Sequence, residues 1–272
     1  MVEIFQDIRQ PYDFGRPCEE LAPYVEFYAQ SAPQKTLPPA TPATLTYCSA
    51  RMFASWTPTC YINLGPAYLL DLAHKRYLVR AGEDVLLLRN TSVARHKLAT
   101  DNLFTLKFYP GGLEAVLGIN QVQFTNRLVP LTQVLPAPLL AHLKQPLSFA
   151  ERVGVLEPFL RQAFRRPAHP DHYVRLVHDA IGEYQASGLQ LNPSAVAERL
   201  FLTSKTINRY FHRVVGTAPS QYFALLRART ALTAFVKDPP AFAPSDYGYY
   251  DRSHFAKAVR HFTGQSLPPA GR

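Results

Sequence analysis

The chain is expected to be α+β: an N-terminal antiparallel β-rich domain with accompanying helices, then an all-α C-terminal domain with two helix-turn-helix units. Three observations carry this expectation. Between residues 44 and 109, short runs rich in β-branched and aromatic residues alternate with Gly, Pro and Asn. After Gly112, apolar residues recur at helical spacing. From Ser194 onward, two stretches each read as a short helix, a tight turn and a second helix that ends at a glycine.

The strand-like runs are 44–52, 60–64, 77–80, 85–89 and 105–109, punctuated by Gly65-Pro66, Ala81-Gly82, Arg89-Asn90 and Pro110-Gly111-Gly112. They predict a small antiparallel sheet or barrel-like domain. The Pro-rich stretches 33–42 and 135–138 read as loops. Helices are expected at 113–118 and 139–166. The latter comprises a short piece, 139–144, and a longer one, 148–164, which places Val153, Leu156, Phe159, Leu160 and Phe164 on one face. Arg161, Arg165 and Arg166 suit its C-terminal end, where cations meet the helix dipole. Pro167 to Pro170 breaks the pattern, so the domains divide as 1–168 and 169–272.

In the first C-terminal unit, Asn192 can cap a helix whose first residue is Pro193. Val196, Ala197 and Leu200 share a face. Thr203 or Ser204 can cap the next helix, where Ile207, Phe211 and Val214 repeat at i, i+4 and i+7 and turn inward. Lys205, Asn208, Arg209 and His212 then face outward. Those residue types suit duplex DNA, since Asn pairs with an adenine edge, Arg with guanine, and Lys with guanine or phosphate. Gly216 is a candidate C-cap. Pro219 opens a long helix carrying Tyr222, Leu225, Leu226, Ala231 and Leu232 inward. Arg227 and Arg229 could meet phosphates or simply be solvated. In the second unit Phe255, Val259 and Phe262 face inward, which leaves Arg252, Ser253, Lys257 and Arg260 for DNA.

A formal charge of +9 fits a polyanionic partner. The excess is shared, however: residues 171–272 hold 12 Lys and Arg against 7 Asp and Glu, and residues 1–170 hold 17 against 13. Basicity alone does not single out the C-terminal half. No apolar run reaches about 18 residues, so no membrane span is expected. The N-terminus lacks a basic start followed by an apolar stretch, so no secretory signal is expected. Cys18, Cys48 and Cys60 are odd in number and far apart, which suits a reducing cytoplasm better than a disulfide framework. Cys48, Cys60, His74 and His96 show no C-x-x-C or H-x-H pair, so no metal is expected, and no cofactor is implied. Gly111-Gly112 before a short helix reads as a structural turn rather than an anion site. Trp56 and the tyrosines read as core packing ahead of a ligand-pocket lining, and His254 as a structural residue of its unit ahead of a DNA contact.

The C-terminal region resembles the AraC/XylS family of transcription regulators. The first unit matches through Ala197, Leu200, Arg209, Phe211, Gly216, Pro219, Tyr222, Arg227 and Ala231. The second matches through Gly248, Tyr249, Asp251, Ser253, His254, Phe255 and Gly264. The resemblance implies recognition helices at 204–215 and 252–262, entering successive major grooves about 10 base pairs apart on one face of the duplex. It implies base contacts from Lys205, Asn208, Arg209, Arg252, Ser253 and Lys257. The N-terminal half resembles one subgroup's sensing domain through the run Pro17 to Tyr28, Asn63-Leu64-Gly65, and Phe108 to Leu113 followed by Leu117-Gly118 and Leu128 to Leu131.

Three departures stand out. Phe201 occupies the first unit's turn, where the family often has glycine, and a bulky residue strains a positive φ, so an altered turn is expected there. Pro244 falls inside the first helix of the second unit. An interior proline costs about 3 kcal/mol, so that helix should start late or be shortened. Gly264 to Pro268 carries one extra residue before the proline. The chain is therefore expected to be a cytoplasmic, bacterial, sequence-specific regulator rather than an enzyme. Its candidate partners are an operator duplex, RNA polymerase, an unidentified small-molecule effector and a second copy of the chain. The rival reading is a protein-binding regulator with degenerate or nonspecific DNA binding. An enzyme would need a cluster of ionisable residues in a sheet-domain cleft, which the sequence does not show. The helix at 148–164 is a candidate dimer element or packs within its own domain.

Overall fold

The computed structural model describes residues 2–3, 6–7, 12–31, 48–98, 100–164 and 172–267. The strands in chain order are β1 (Val2–Glu3), β2 (Gln6–Asp7), β3 (Tyr12–Gly15), β4 (Val25–Ser31), β5 (Cys48–Met52), β6 (Pro58–Asn63), β7 (Tyr68–Leu72), β8 (Lys75–Val79), β9 (Val85–Leu88), β10 (Val93–Lys97), β11 (Leu103–Phe108) and β12 (Leu128–Pro130). β1 and β2 pair with each other. The rest form two antiparallel sheets, one in the order β12-β9-β6-β11-β4-β3 and the other β5-β10-β7-β8.

The six-stranded sheet is the middle layer. Alternation along its strands decides which side each residue serves. Cys60, Ile62, Leu86, Leu88, Phe104 and Leu106 face one core, which they share with the helices α1 (Gly112–Leu117), α2 (Ala137–Leu143) and α3 (Phe149–Phe164). Tyr61, Val85, Leu87 and Leu103 face the other core, against Tyr68, Leu70, Leu72, Val79 and Val93 of the four-stranded sheet. The central strands β6, β9 and β11 are therefore buried on both faces.

The expected runs appear as β5, β6, β8, β9 and β11, with ends shifted by a few residues. Residues 44–47 and the loop at 33–42 lie outside the described residues. β3, β4, β7, β10 and β12 were not anticipated. β10 shows why: its Arg95-His96-Lys97 reads as solvated loop. Yet Arg95 is 3% exposed, held by Asp101 at 2.5 Å and by the Tyr12 hydroxyl at 3.0 Å. The expected loop at 135–138 is also partly helical, because Pro138 sits in the first turn of α2, where its missing N–H costs nothing.

Leu156 and Leu160 of α3 are buried against the sheet of their own half, so the apolar face of the candidate dimer element is already occupied. A capping box starts this helix: the Ser148 hydroxyl bonds Glu151 Oε2 at 2.7 Å and accepts the Glu151 N–H at 3.3 Å. Arg152 donates to the carbonyls of Leu143, Gln145 and Leu147 and so satisfies the end of α2. The boundary expected at 168/169, with Arg165 and Arg166, lies outside the described residues.

The C-terminal half is helical: α4 (His172–Ala186), α5 (Pro193–Arg199), α6 (Ser204–Val214), α7 (Pro219–Lys237), a 3-10 turn (Pro244–Tyr247) and α8 (Arg252–Thr263). Val177, Ile207, Phe211, Phe223, Leu232, Phe235 and Phe255 build its core. Phe53 and Ala54, from the β-rich half, join that core, and Trp56 packs against both halves. Among the described residues no helix is long and apolar enough to cross a membrane.

Candidate nucleic-acid interface

Asn192 caps α5 by accepting the Ala195 N–H at 2.9 Å, and Thr203 caps α6 by accepting the Thr206 N–H at 3.1 Å. Between them the chain turns through Phe201, at φ +56°. Phe201 N–H donates to Glu198 O at 3.0 Å and Leu202 N–H to Ala197 O at 2.8 Å. The sequence led us to expect an altered turn. Instead the phenylalanine adopts the left-handed backbone that glycine would supply, and its ring projects into solvent.

Within α6, Ile207, Phe211 and Val214 are buried. Lys205, Asn208, Arg209 and His212 are all exposed, and their i, i+3, i+4, i+7 spacing makes one stripe. Arg209 lies 5.2 Å from the Tyr210 ring. α7 follows with 19 residues, which at 1.5 Å per residue span about 28 Å.

The second unit is abbreviated, as Pro244 foretells. Its first helix is a four-residue 3-10 turn with Pro244 at its start, closed by Gly248 at φ +69°. Tyr249 N–H donates to Pro244 O at 3.1 Å. Asp251 caps α8 by accepting the His254 N–H at 2.7 Å. Phe255, Val259 and Thr263 are buried, while Phe262 is half-buried and stacked 6.4 Å from Phe53. Arg252, Ser253, Lys257 and Arg260 are exposed. Arg252 lies 5.4 Å over the Phe235 ring. His254 is exposed, with its ring 5.2 Å from Tyr249.

Residues 196–268 match the family model described as a helix-turn-helix domain. The matched stretch runs from within α5 through α8, so this part of the chain is a helix-turn-helix domain. Similar solved structures include ToxT from Vibrio cholerae, at 9% identity over 81% of this chain and 95% of that one, with a TM-score of 0.46. A second is ToxT from the same organism with bound unsaturated fatty acid, at 9% identity over 81% and 92%, TM-score 0.44. A third is the AraC-like transcriptional activator CuxR, at 13% identity over 84% and 88%, TM-score 0.34. No curated protein matches.

The helix-turn-helix domain is held from behind by the β-rich half. Glu114 of α1 pairs with Arg213 of α6, and Asn120 Nδ2 donates to Arg213 O at 3.0 Å. Gln121 is 0% exposed. Its amide nitrogen donates to Trp56 O and to Val215 O, each at 3.1 Å, while its oxygen accepts the Gly111 N–H at 2.7 Å. Gly111, at φ +77°, lies so close to α6 that a Cβ there would stand 2.7 Å from Val214 Cγ1. A Cβ on Gly112 would stand 2.1 Å from Tyr24 O. The Gly-Gly pair is thus a joint between the halves, with its first N–H spent internally. His178 of α4 completes the joint, its Nε2 at 2.6 Å from Pro110 O.

Beside this joint a cavity of about 690 Å³ opens between Pro23, Glu26 and Tyr109 on one side and α4 and α7 on the other. Arg229 pairs there with Glu26 at 3.2 Å, and the Arg227 guanidinium stands 5.0 Å over the Tyr249 ring. These two arginines, read from the sequence as phosphate-binding or solvated, are half-buried in tertiary contacts. No local pattern in the sequence marks the joint. Gln121, Glu114 and Arg213 are ordinary surface residue types, and the contacts that join the halves, Gln121 to Val215 and Glu114 to Arg213, span 94 and 99 positions.

Proposed function

We propose that this chain is a sequence-specific, double-stranded DNA-binding transcription regulator in which α6 and α8 read successive major grooves. The observation that carries the reading is the matched pair of helices. Each buries an apolar face in one shared core and leaves a basic stripe exposed: Lys205, Asn208, Arg209 and His212 on α6, and Arg252, Ser253, Lys257 and Arg260 on α8. Asn and Arg match base edges, and Lys matches guanine or phosphate. The abbreviated first helix of the second unit leaves α8 with less scaffold, so specificity rests mainly on α6.

Residues 1–168 act as the regulatory half and residues 169–272 as the DNA-binding half. The cavity beside Glu26, Tyr109, His178 and Arg229 is the effector site in this reading, since its volume suits a small molecule and both halves line it. An occupant there shifts the joint at Gly111 and Gln121 and thereby the placement of α6. RNA polymerase and a second copy of the chain are the further partners.

Selection of bound sequences from a random duplex pool at two salt concentrations tests the reading. Two enriched half-sites about one helical turn apart support it. Binding with no enrichment, lost as salt rises, overturns sequence-specific reading and favours a protein-binding regulator.

A further inference from the structure

Phe201 is 98% exposed and Tyr250 is 93% exposed. Both occupy the turn of a helix-turn-helix unit. Phe201 lies two residues before the N-cap of α6, and Tyr250 directly precedes the N-cap of α8. Phe201 also holds φ +56°, a backbone region that a residue with a Cβ enters at a cost. Folding alone does not account for this residue. Its ring buries almost nothing, and glycine would relieve the backbone. An exposed apolar side chain held in a disfavoured conformation points to a partner.

We propose that Phe201 and Tyr250 are DNA-contacting residues that lay their rings against thymine methyl groups at the edge of the major groove. The inference rests on the DNA-binding reading above and adds an apolar component to it. Position argues for DNA as the occupant. In a helix-turn-helix the N-terminal residues of the recognition helix enter the groove, so the residues just before it lie at the groove's lip. Charge agrees, since Lys205 and Arg209 follow Phe201, and Arg252 and Lys257 follow Tyr250, so each ring precedes a run that attracts phosphate. The chemistry is also matched: thymine alone presents a methyl group in the major groove, and aromatic side chains make apolar contact with it.

The test uses the full chain and a duplex selected by it, prepared in two forms, with thymine or with deoxyuridine at the edge positions, a change that removes only the methyl groups. The expected result is that wild type loses about 4-fold in affinity per contacted methyl group. Phe201→Gly should bind the thymine duplex about 10-fold more weakly and no longer distinguish thymine from deoxyuridine at the edge of its own half-site. Its melting temperature should rise by about 2 °C, because the strained φ is relieved. Tyr250→Ala should behave likewise at the second half-site. Arg209→Ala is the control: it weakens binding to both forms and keeps the methyl discrimination. Equal binding of wild type and Phe201→Gly overturns the inference and leaves the DNA-binding reading standing. Equal binding combined with loss of transcription activation also overturns it, and assigns the rings to a protein partner. Failure of wild type to enrich any sequence overturns both readings together.

Discussion

Glu114 and Arg213 meet through both carboxylate oxygens and both terminal guanidinium nitrogens, Nη1 to Oε2 at 3.0 Å and Nη2 to Oε1 at 2.7 Å. They lie 99 positions apart in sequence, Glu114 on the first helix of the β-rich half and Arg213 near the end of α6. The Arg213 side chain is 42% exposed, so solvent screens the pair and its contribution to stability is modest, about 0.2–1 kcal/mol. Its consequence is positional. It fixes the back end of the helix whose outer stripe carries Arg209 and His212.

Glu114→Ala should remove the carboxylate that neutralises Arg213 beside that stripe. Duplex affinity should rise at low salt, with the slope of log K against log salt steepening by up to about one unit. The melting temperature should fall by about 2 °C or less. Titration of a labelled duplex at several salt concentrations reads the first effect, and an unchanged slope would show that Arg213 does not reach phosphate in the variant.

Gln121→Leu keeps the bulk of the side chain and removes its hydrogen bonds. The carbonyls of Trp56 and Val215 and the Gly111 N–H would then lose a buried partner, at a cost of about 1–3 kcal/mol. Denaturant unfolding measures this. Gly111→Ala should disturb the same joint by a different route, since its Cβ would press on Val214 and the φ of +77° favours glycine.

Arg209→Ala should cost about 1–3 kcal/mol on the selected duplex and relax preference at one base position, if its stripe reads guanine. Lys257→Ala, acting on phosphate, should weaken all sequences alike and reduce the salt slope by about one. Competition binding against single-base variants separates the two, and a uniform loss for Arg209→Ala would sink its role in base reading.

Burial holds the His178 imidazole below its usual pKa, against the upward pull of the Pro110 carbonyl and of Asp179. The unfolded imidazole takes a proton near pH 6.5, before the folded one does. The stability His178 contributes is therefore complete above about pH 6.5 and declines as the pH falls from there toward the lower folded value. Denaturant unfolding at pH 7.5 and 5.5 should show a loss in wild type that is smaller in His178→Gln. Equal losses would place the sensitivity elsewhere.

Buried on both faces, β6, β9 and β11 carry near-continuous apolar runs, which mark them as strands without showing which neighbour each pairs with. β4, with Val25-Glu26-Phe27-Tyr28, and β10, with Arg95-His96-Lys97, were harder to read because their polar residues find partners only after folding. Lys107, 0% exposed, pairs with Glu26 at 3.0 Å, and Arg95 with Asp101. No local pattern announces such a pair, since its energy depends on groups brought together from different strands.

The sequence by itself determined the C-terminal helices and which faces they expose. The caps Asn192 and Thr203, the glycines 216 and 264, and the i, i+4, i+7 apolar residues of α6 are local signals, fixed by backbone hydrogen bonding and by hydrophobic periodicity. It also determined that Pro244 would cut short the helix before α8. Only the tertiary structure decided that Phe201 would take a glycine's backbone, that Gly111 would become a joint, and that Gln121 would bind both halves at once. Those outcomes depend on which distant surfaces are pressed together. A buried carbonyl such as Val215 O needs a donor, and chain folding, not sequence spacing, determined that Gln121 would supply it.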